Sequence, residues 1–412
     1  MHSVVVTGVG IISAIGKSVD EFQRRLVAGD SGIHRIQSFD PTECRTQIGA
    51  EIRDFDAAQV VSRSELNQLD RLGVLAIYAG DQAIADAGLD LDRDRSSLGV
   101  ILGTGLGPSA SIEESVLRAS RRQRLRPATI LKIMLNSPAA ALCARYQCLE
   151  VSHVHATACA SSAHAISQAA DYIRRGELDL CLVGGSDAFP SPALFAAWDA
   201  LGVMTPENAS PQKAMRPFAA DRSGFAVGEG AAVLVLESAR RAFGRGATIH
   251  AEIVGTGSSS HAPSLTKPSV DAMAMSMSRS LQNAGAAAID IGYVNAHGTA
   301  TDLNDSLETA AIHRVFADQA PKLRISSTKA AHGHTMGASG AIEAVATILA
   351  LNEGMAPPTL NLTQLDPICD LDYTPIVASR MDCSLGVTTS FAFGGHCASI
   401  VIRRGRDVPA PY

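Results

Sequence analysis

Short apolar runs rich in Val, Ile and Leu alternate along the chain with longer stretches whose apolar residues recur every three or four positions. In the first half, "SVVVTGVG" (3–10), "LGVILGTG" (98–105), "VSHVHATA" (151–158), "LDLCLVGGS" (178–186) and "AAVLVLES" (231–238) predict strands. "RLGVLAIYAGDQAIADAG" (71–88) and "SSAHAISQAADYIRRG" (161–176) have helical spacing and end on glycine, which tolerates the left-handed conformation past a helix C-terminus. Alternating β and α segments predict an α/β fold.

The second half repeats this order weakly. "IHAEIVGTGSS" (249–259), "IGYVNAHGTA" (291–300) and "LRISSTKAAHGH" (323–334) parallel the first three strands, and the last leads into the helical "GASGAIEAVATILALNEG" (337–354). "SLGVTTSFAFGG" (384–395) and "CASIVIRR" (397–404) close the series. The pattern predicts two similar α/β halves, residues 1–248 and 249–412. No Pro- or Gly-rich linker separates them, so one globule with a shared site is expected. The Pro-, Asn- and Ser-rich segment 203–224 reads as a surface excursion.

Composition narrows the picture. With 412 residues, 46% of them hydrophobic, the chain can bury a large core. Only 4% are aromatic, which favours closely packed Ala- and Gly-rich helices over a bulky core. A net charge of -6 argues against nucleic-acid or anionic-membrane binding. The start "MHSVVVTGVG" lacks the basic and apolar regions of a signal peptide, and no apolar run approaches membrane-spanning length. The eight cysteines are scattered without a CxxC pair, which argues against zinc and a disulfide framework and suits a reducing cytoplasm.

Four segments carry candidate chemistry. Cys159 in "TACAS" falls between a predicted strand and a predicted helix, where unsatisfied N–H groups would favour thiolate and lower the thiol pKa. The alternative is a small buried hydrophobe. "NAHGTATD" (295–302) offers His297 beside a glycine, or a loop histidine with structural bonds only. "STKAAHGHTMGASG" (327–340) holds Lys329, His332 and His334, without the partners a metal site needs. "SFAFGGHCAS" (390–399) has a Gly-Gly turn whose N–H groups could face an oxyanion, or which simply joins two strands. "GVGIIS" lacks the third glycine of a dinucleotide fingerprint, "GTGLG" (103–107) has no Walker lysine, and no GxSxG elbow is present.

One Cys at a helix start, one His in "AHGT", one His in "KAAHGH" and a C-terminal "FAFGG" together resemble the β-ketoacyl-[acyl-carrier-protein] synthases, condensing enzymes of the thiolase-like fold. The resemblance covers essentially the whole chain and is closest to the synthase II type. It implies two duplicated βαβαβ halves in a layered α-β-α-β-α sandwich. It implies an acyl carrier protein as partner, and a homodimer or a heterodimer with a chain-length-factor-like subunit. No metal or cofactor is implied, since phosphopantetheine is carried by the acyl carrier protein. Cys159 matches the acyl-accepting nucleophile, His297 and His334 the catalytic histidines, and Lys329 and Glu343 the charged pair beside them. Phe393 matches the gating phenylalanine, its N–H forming an oxyanion hole with that of Cys159. Thr299 and Thr301 match pantetheine contacts, and Leu106, Thr129, Phe195, Trp198 and Phe391 fall at acyl-channel positions. The implied reaction is decarboxylative condensation of malonyl-carrier protein with a Cys-bound acyl chain.

The chain also departs from that pattern. Ala392 replaces the usual Gly of the gate, His396 and Cys397 replace Thr-Asn, and His332 replaces Thr or Ser. Asp199 stands where an arginine is thought to meet the carrier protein, beside a bulky Trp198, an arrangement more like nodulation-type and other specialised ketosynthases. Thr129 replaces an aromatic. These changes suggest a specialised unsaturated or aryl-capped chain. Arg121, Arg122, Arg124 and Arg126 offer a cationic landing zone for an acidic carrier, or a merely solvated helix end. Two rival readings are a thiolase, for which Cys397 could be the second cysteine, and a catalytically silent chain-length factor, which would lack Cys159. His155 and His164, though close to the cysteine in sequence, are not matched to a catalytic role.

Overall fold

The computed structural model describes residues 2–410. Ten strands form one mixed sheet: β1 (Val4–Ser13), β2 (Leu98–Gly103), β3 (Ser152–His155), β4 (Leu180–Asp187), β5 (Gly230–Ser238), β6 (Ala251–Ser260), β7 (Ile291–Asn295), β8 (Arg324–Ser326), β9 (Leu385–Phe391) and β10 (His396–Arg404). Their order is β8-β7-β9-β10-β6-β1-β5-β4-β2-β3. From the middle outward the two sides repeat one another, β1-β5-β4-β2-β3 against β6-β10-β9-β7-β8. The sense of pairing repeats too, antiparallel for β1 with β5 and β6 with β10, parallel for β2 with β4 and β7 with β9. The two five-stranded sides are continuous, because Val5–Glu252 and Val6–Ala251 pair β1 with β6.

The helices that frame the site are α1 (Arg71–Ala87), α2 (Ser109–Ser120), α3 (Thr129–Ile133), α4 (Ser137–Tyr146), α5 (Ser161–Arg174), α6 (Pro192–Leu201), α7 (Val270–Ala284), α8 (Asp302–Phe316) and α9 (Ser339–Glu353). α5 and α9 pack on each other and on strands of both sides, forming the middle layer. α1 with α4, and α7 with α8, cover the outer faces. The sequence explains the placement of α9: it is apolar around its whole circumference and almost every residue is buried. The outer helices sit flush on glycines. A Cβ at Gly8 or Gly10 of β1 would fall 2.2 or 1.9 Å from carbonyl oxygens of α1, and one at Gly255 or Gly257 of β6 would fall 2.2 or 2.0 Å from those of α7. The "GVG" and "GTG" of the two halves therefore serve close helix–sheet packing.

Two local expectations change. Segment 323–334 is strand only over Arg324–Ser326 and then turns into one helical turn at Lys329–His332. Segment 203–224 is not a surface excursion. Met204, Thr205, Met215 and Phe218 are buried, and Phe218 stacks on Tyr373 at 3.7 Å. Its polar composition concealed those anchors. Among the described residues, no helix is long and apolar enough to cross a membrane.

Candidate active site

The middle helices begin with the same turn in both halves. After β3, Ala158 takes a left-handed conformation (φ 49°) ahead of Cys159 and α5. After β8, Met336 does the same (φ 49°) ahead of Gly337 and α9. "TACAS" and "TMGAS" thus occupy equivalent places, and Gly337 is the counterpart of Cys159. A Cβ at Gly337 would lie 2.1 Å from the Gly105 nitrogen and 2.8 Å from Asp187 Oδ2, so this turn cannot carry a side chain. Asp187, fully buried at the end of β4, accepts from the Thr104 hydroxyl (2.6 Å) and from the N–H groups of Gly105 (2.8 Å), Leu106 (3.0 Å) and Gly337 (2.7 Å). The "GTGLG" turn wraps this carboxylate and locks the halves together beside Cys159. Sequence reasoning missed Asp187, which has only the strand's last position to single it out.

Cys159 Sγ lies 3.1 Å from His334 Nε2. The His297 and His334 rings meet edge to face at 5.5 Å, and one donor atom from each of Cys159, His297 and His334 lies within 4.8 Å of the others. His334 Nδ1 meets the Ser339 hydroxyl at 3.0 Å. Lys329 Nζ donates to His297 Nδ1 at 3.3 Å and pairs with Glu343 Oε1. That contact places the His297 proton on Nε2. It also sets a cation against one of the three groups, which opposes a second positive charge among them. The His297 loop is pinned by Glu308, whose oxygens accept from the N–H groups of His297 and Gly298, both at 2.8 Å. Glu308 was also missed, because a glutamate within an ordinary helical pattern reads as a solvated face.

Burial governs the electrostatics. Desolvation, then the Lys329 cation, holds both His297 and His334 well below the usual imidazole pKa, so both are neutral. The expected lowering at Cys159 is overturned: desolvation pushes its thiol up to about 12, outweighing Lys329. At rest Cys159 is a thiol with a neutral base 3.1 Å away. Its alkylation by iodoacetamide, followed by intact mass, should accelerate roughly tenfold per pH unit from pH 7 to 9. A plateau below pH 8 would mean a resting thiolate instead.

These groups line a cavity of about 250 Å³. Trp198, Thr299, Thr301, Phe391, Ala392 and Phe393 also line it. Thr299 and Thr301 share a hydroxyl contact of 2.9 Å. Trp198 stacks on Phe393 at 5.8 Å, and Phe225, unmarked in the sequence, stands edge-on to His334 at 5.1 Å. The Gly394 and Gly395 N–H groups are taken by the carbonyls of Leu265 (2.8 Å) and Ala392 (3.1 Å). Among the described residues, no backbone carbonyl accepts from the N–H of Cys159 or Phe393. The remaining candidates other than Cys397 lie elsewhere. Phe195 is buried against Phe39 (5.4 Å), Leu106 is half-buried on the Asp187 turn, and Thr129 is half-buried in α3. His332 is buried against Thr328 and Phe22. His396 faces His164 outside the cavity, at 6.5 Å. Cys397 lines the cavity, its sulfur 3.7 Å from the Gly395 carbonyl. Asp199 is buried and accepts from the Arg45 and Thr46 N–H groups (3.0 and 2.9 Å), so it offers no charge to a docking partner.

Comparison with known proteins agrees with this geometry. Residues 1–242 match the family "Beta-ketoacyl synthase, N-terminal domain", and residues 250–363 match "Beta-ketoacyl synthase, C-terminal domain". The chain belongs to the β-ketoacyl synthase family, the condensing acyltransferases of thiolase-like fold. It is 37% identical to the 3-oxoacyl-[acyl-carrier-protein] synthase 2 of Coxiella burnetii, over 98% of this chain and 99% of that one. It is 38% identical to Nodulation protein E of Rhizobium sp. (strain N33), over 97% and 99%. Among solved structures, the ishigamide ketosynthase/chain length factor is similar with a TM-score of 0.92 and 35% identity, covering 98% of this chain and 99% of that one.

Proposed function

We propose that this chain elongates acyl chains held on an acyl carrier protein, by decarboxylative Claisen condensation with malonyl-carrier protein, in fatty-acid or type II polyketide synthesis. The observation that carries the reading is the convergence of Cys159, His297 and His334 on one cavity. In the first step the Cys159 thiol attacks the acyl thioester. Its proton passes to His334 Nε2 and on to the departing pantetheine sulfur, so charge balances. The Ser339 hydroxyl can accept from or donate to His334 Nδ1, which lets this ring act first as base and then as donor. In the second step malonyl thioester loses CO₂, and the enolate oxygen is held by Nε2–H of His297 and of His334. The carbanion then attacks the acyl-Cys159, whose oxyanion faces the N–H groups of Cys159 and Phe393. The reaction needs no cofactor of the protein's own, and phosphopantetheine arrives on the carrier. Trp198, Thr299, Thr301 and Phe391 would contact the arm or chain from the cavity wall.

The carrier-docking reading rests on Arg121, Arg122, Arg124 and Arg126, all exposed between α2 and α3. Arg126 shares a surface groove with Arg63. Alanine at both Arg63 and Arg126 should raise the KM for carrier-bound substrate and flatten its salt dependence; unchanged values would remove this surface from consideration. A homodimer, or a heterodimer with a chain-length-factor-like subunit, is supported by the exposed Val116, Leu117, Ile130 and Leu135 and by β3, a terminal strand of the sheet with an unpaired edge. The division into halves at 248/249 follows the repeated strand order. A cytoplasmic setting fits eight free cysteines.

Intact mass after incubation with an acyl-carrier thioester tests the function. An acyl adduct is expected on the wild type and none on Cys159→Ala, and condensation should release CO₂ from malonyl-carrier protein. Condensation from acetyl-CoA alone would favour the thiolase reading. An unmodified wild type, with or without a candidate partner subunit, would defeat the enzyme reading.

A further inference from the structure

Away from the catalytic cavity, two thiols flank the C-terminus of α4. Cys143 lies in its last turn, and Gln147 takes the left-handed conformation (φ 54°, ψ 44°), reversing the chain. The Cys148 N–H then donates to the Cys143 carbonyl at 3.2 Å. That contact keeps the two Cα atoms within about 7 Å, the reach of a disulfide. Cys148, and after it Ser152, act to lower the Cys143 pKa against its burial. Both residues are half-exposed, unlike the buried Cys159. We propose that Cys143 and Cys148 are an oxidation site, a dithiol that hydroperoxides convert reversibly to a disulfide ahead of the catalytic thiol.

The chemistry balances. Cys143 sulfur attacks the peroxide oxygen, giving sulfenic acid and the alcohol, or water from hydrogen peroxide. Cys148 sulfur then displaces water from that sulfenic acid and closes the disulfide. Cys148 and Ser152 outweigh burial and lower the Cys143 pKa to about 6, which favours it as the attacking thiolate. Cys159, whose pKa burial raises, is the slower target.

The test is a hydrogen peroxide titration of the full chain with peptide mapping. A Cys143–Cys148 linked peptide, 2 Da lighter and restored by dithiothreitol, is expected before any oxidation of Cys159. Cys148→Ser should leave a sulfenic acid on Cys143 that dimedone traps, and Cys143→Ser should abolish the linked peptide. Oxidation of Cys159 first, or no Cys143–Cys148 link at peroxide levels that oxidise Cys159, would overturn the proposal. Repeating the mapping on Cys159→Ala separates this site from the catalytic reading: the link should form there unchanged, and its absence would count against the proposal while leaving the function untouched.

Discussion

Alanine at His297 is expected to leave acylation of Cys159 largely intact and to slow condensation by about 10²–10³-fold, the usual cost of losing one aimed donor to a developing oxyanion. The thiol's hydrogen-bond partner is His334, at 3.1 Å. His297 instead turns Nδ1 to Lys329, at 3.3 Å, which leaves Nε2–H for the enolate. His334→Ala should behave differently. A thiol held up at about 12 needs somewhere to send its proton, so both acylation and condensation should fall. The two steps separate cleanly, one by the rate of adduct formation in intact mass and the other by CO₂ release. Equal loss of both activities in His297→Ala would refute this division of labour.

Methionine at Lys329 should destabilise the fold by about 3–5 kcal/mol at alkaline pH, because it strands a buried carboxylate. Lys329 and Glu343 are both fully buried and pair with each other through Oε1, and Glu343 Oε2 has no partner among the described residues. Burial raises the Glu343 pKa from 4.5 to about 7 even with the lysine present. A carboxyl raised in the folded state holds its proton more tightly there than in the unfolded chain. Its contribution is therefore present below about pH 4.5 and is lost as pH rises through about 7. Without Lys329 that pKa climbs further, so the variant's deficit should be small at pH 5 and largest near pH 9. Urea midpoints at the two pH values measure it. Lys329→Met/Glu343→Leu should recover most of the loss, since an apolar pair leaves no charge behind. A deficit independent of pH would mean that lost packing, and not the stranded charge, dominates.

Much of the site was legible in short segments. "TACAS", "NAHGT" and "KAAHGH" each combine a reactive residue with small neighbours at the end of an apolar run, and all three reach the same cavity. What escaped were the acids behind them. Asp187 and Glu308 serve by accepting backbone N–H groups, and nothing in their own neighbourhoods distinguishes them from solvated carboxylates. The likeness of "TMGAS" to "TACAS" was visible in letters, yet its meaning depended on both turns opening a central helix. Asp199 stands where the family pattern has an arginine thought to meet the carrier, but it points inward and accepts from the Arg45 and Thr46 backbone.

The sequence by itself determined the order of strands and helices, the duplicated plan and the candidates for the chemistry. Those properties are local: apolar periodicity, glycine where backbones must touch, and small residues around a thiol. Tertiary structure alone decided how those residues behave. Cys159 meets His334 across 175 residues, and Asp187 reaches Gly337 across 150. Whether the thiol keeps its proton depends on how much water those distant segments exclude. Near a helix start, chain position favours thiolate; the packing of two halves around Cys159 reverses that preference and keeps the proton on the thiol, beside a neutral histidine.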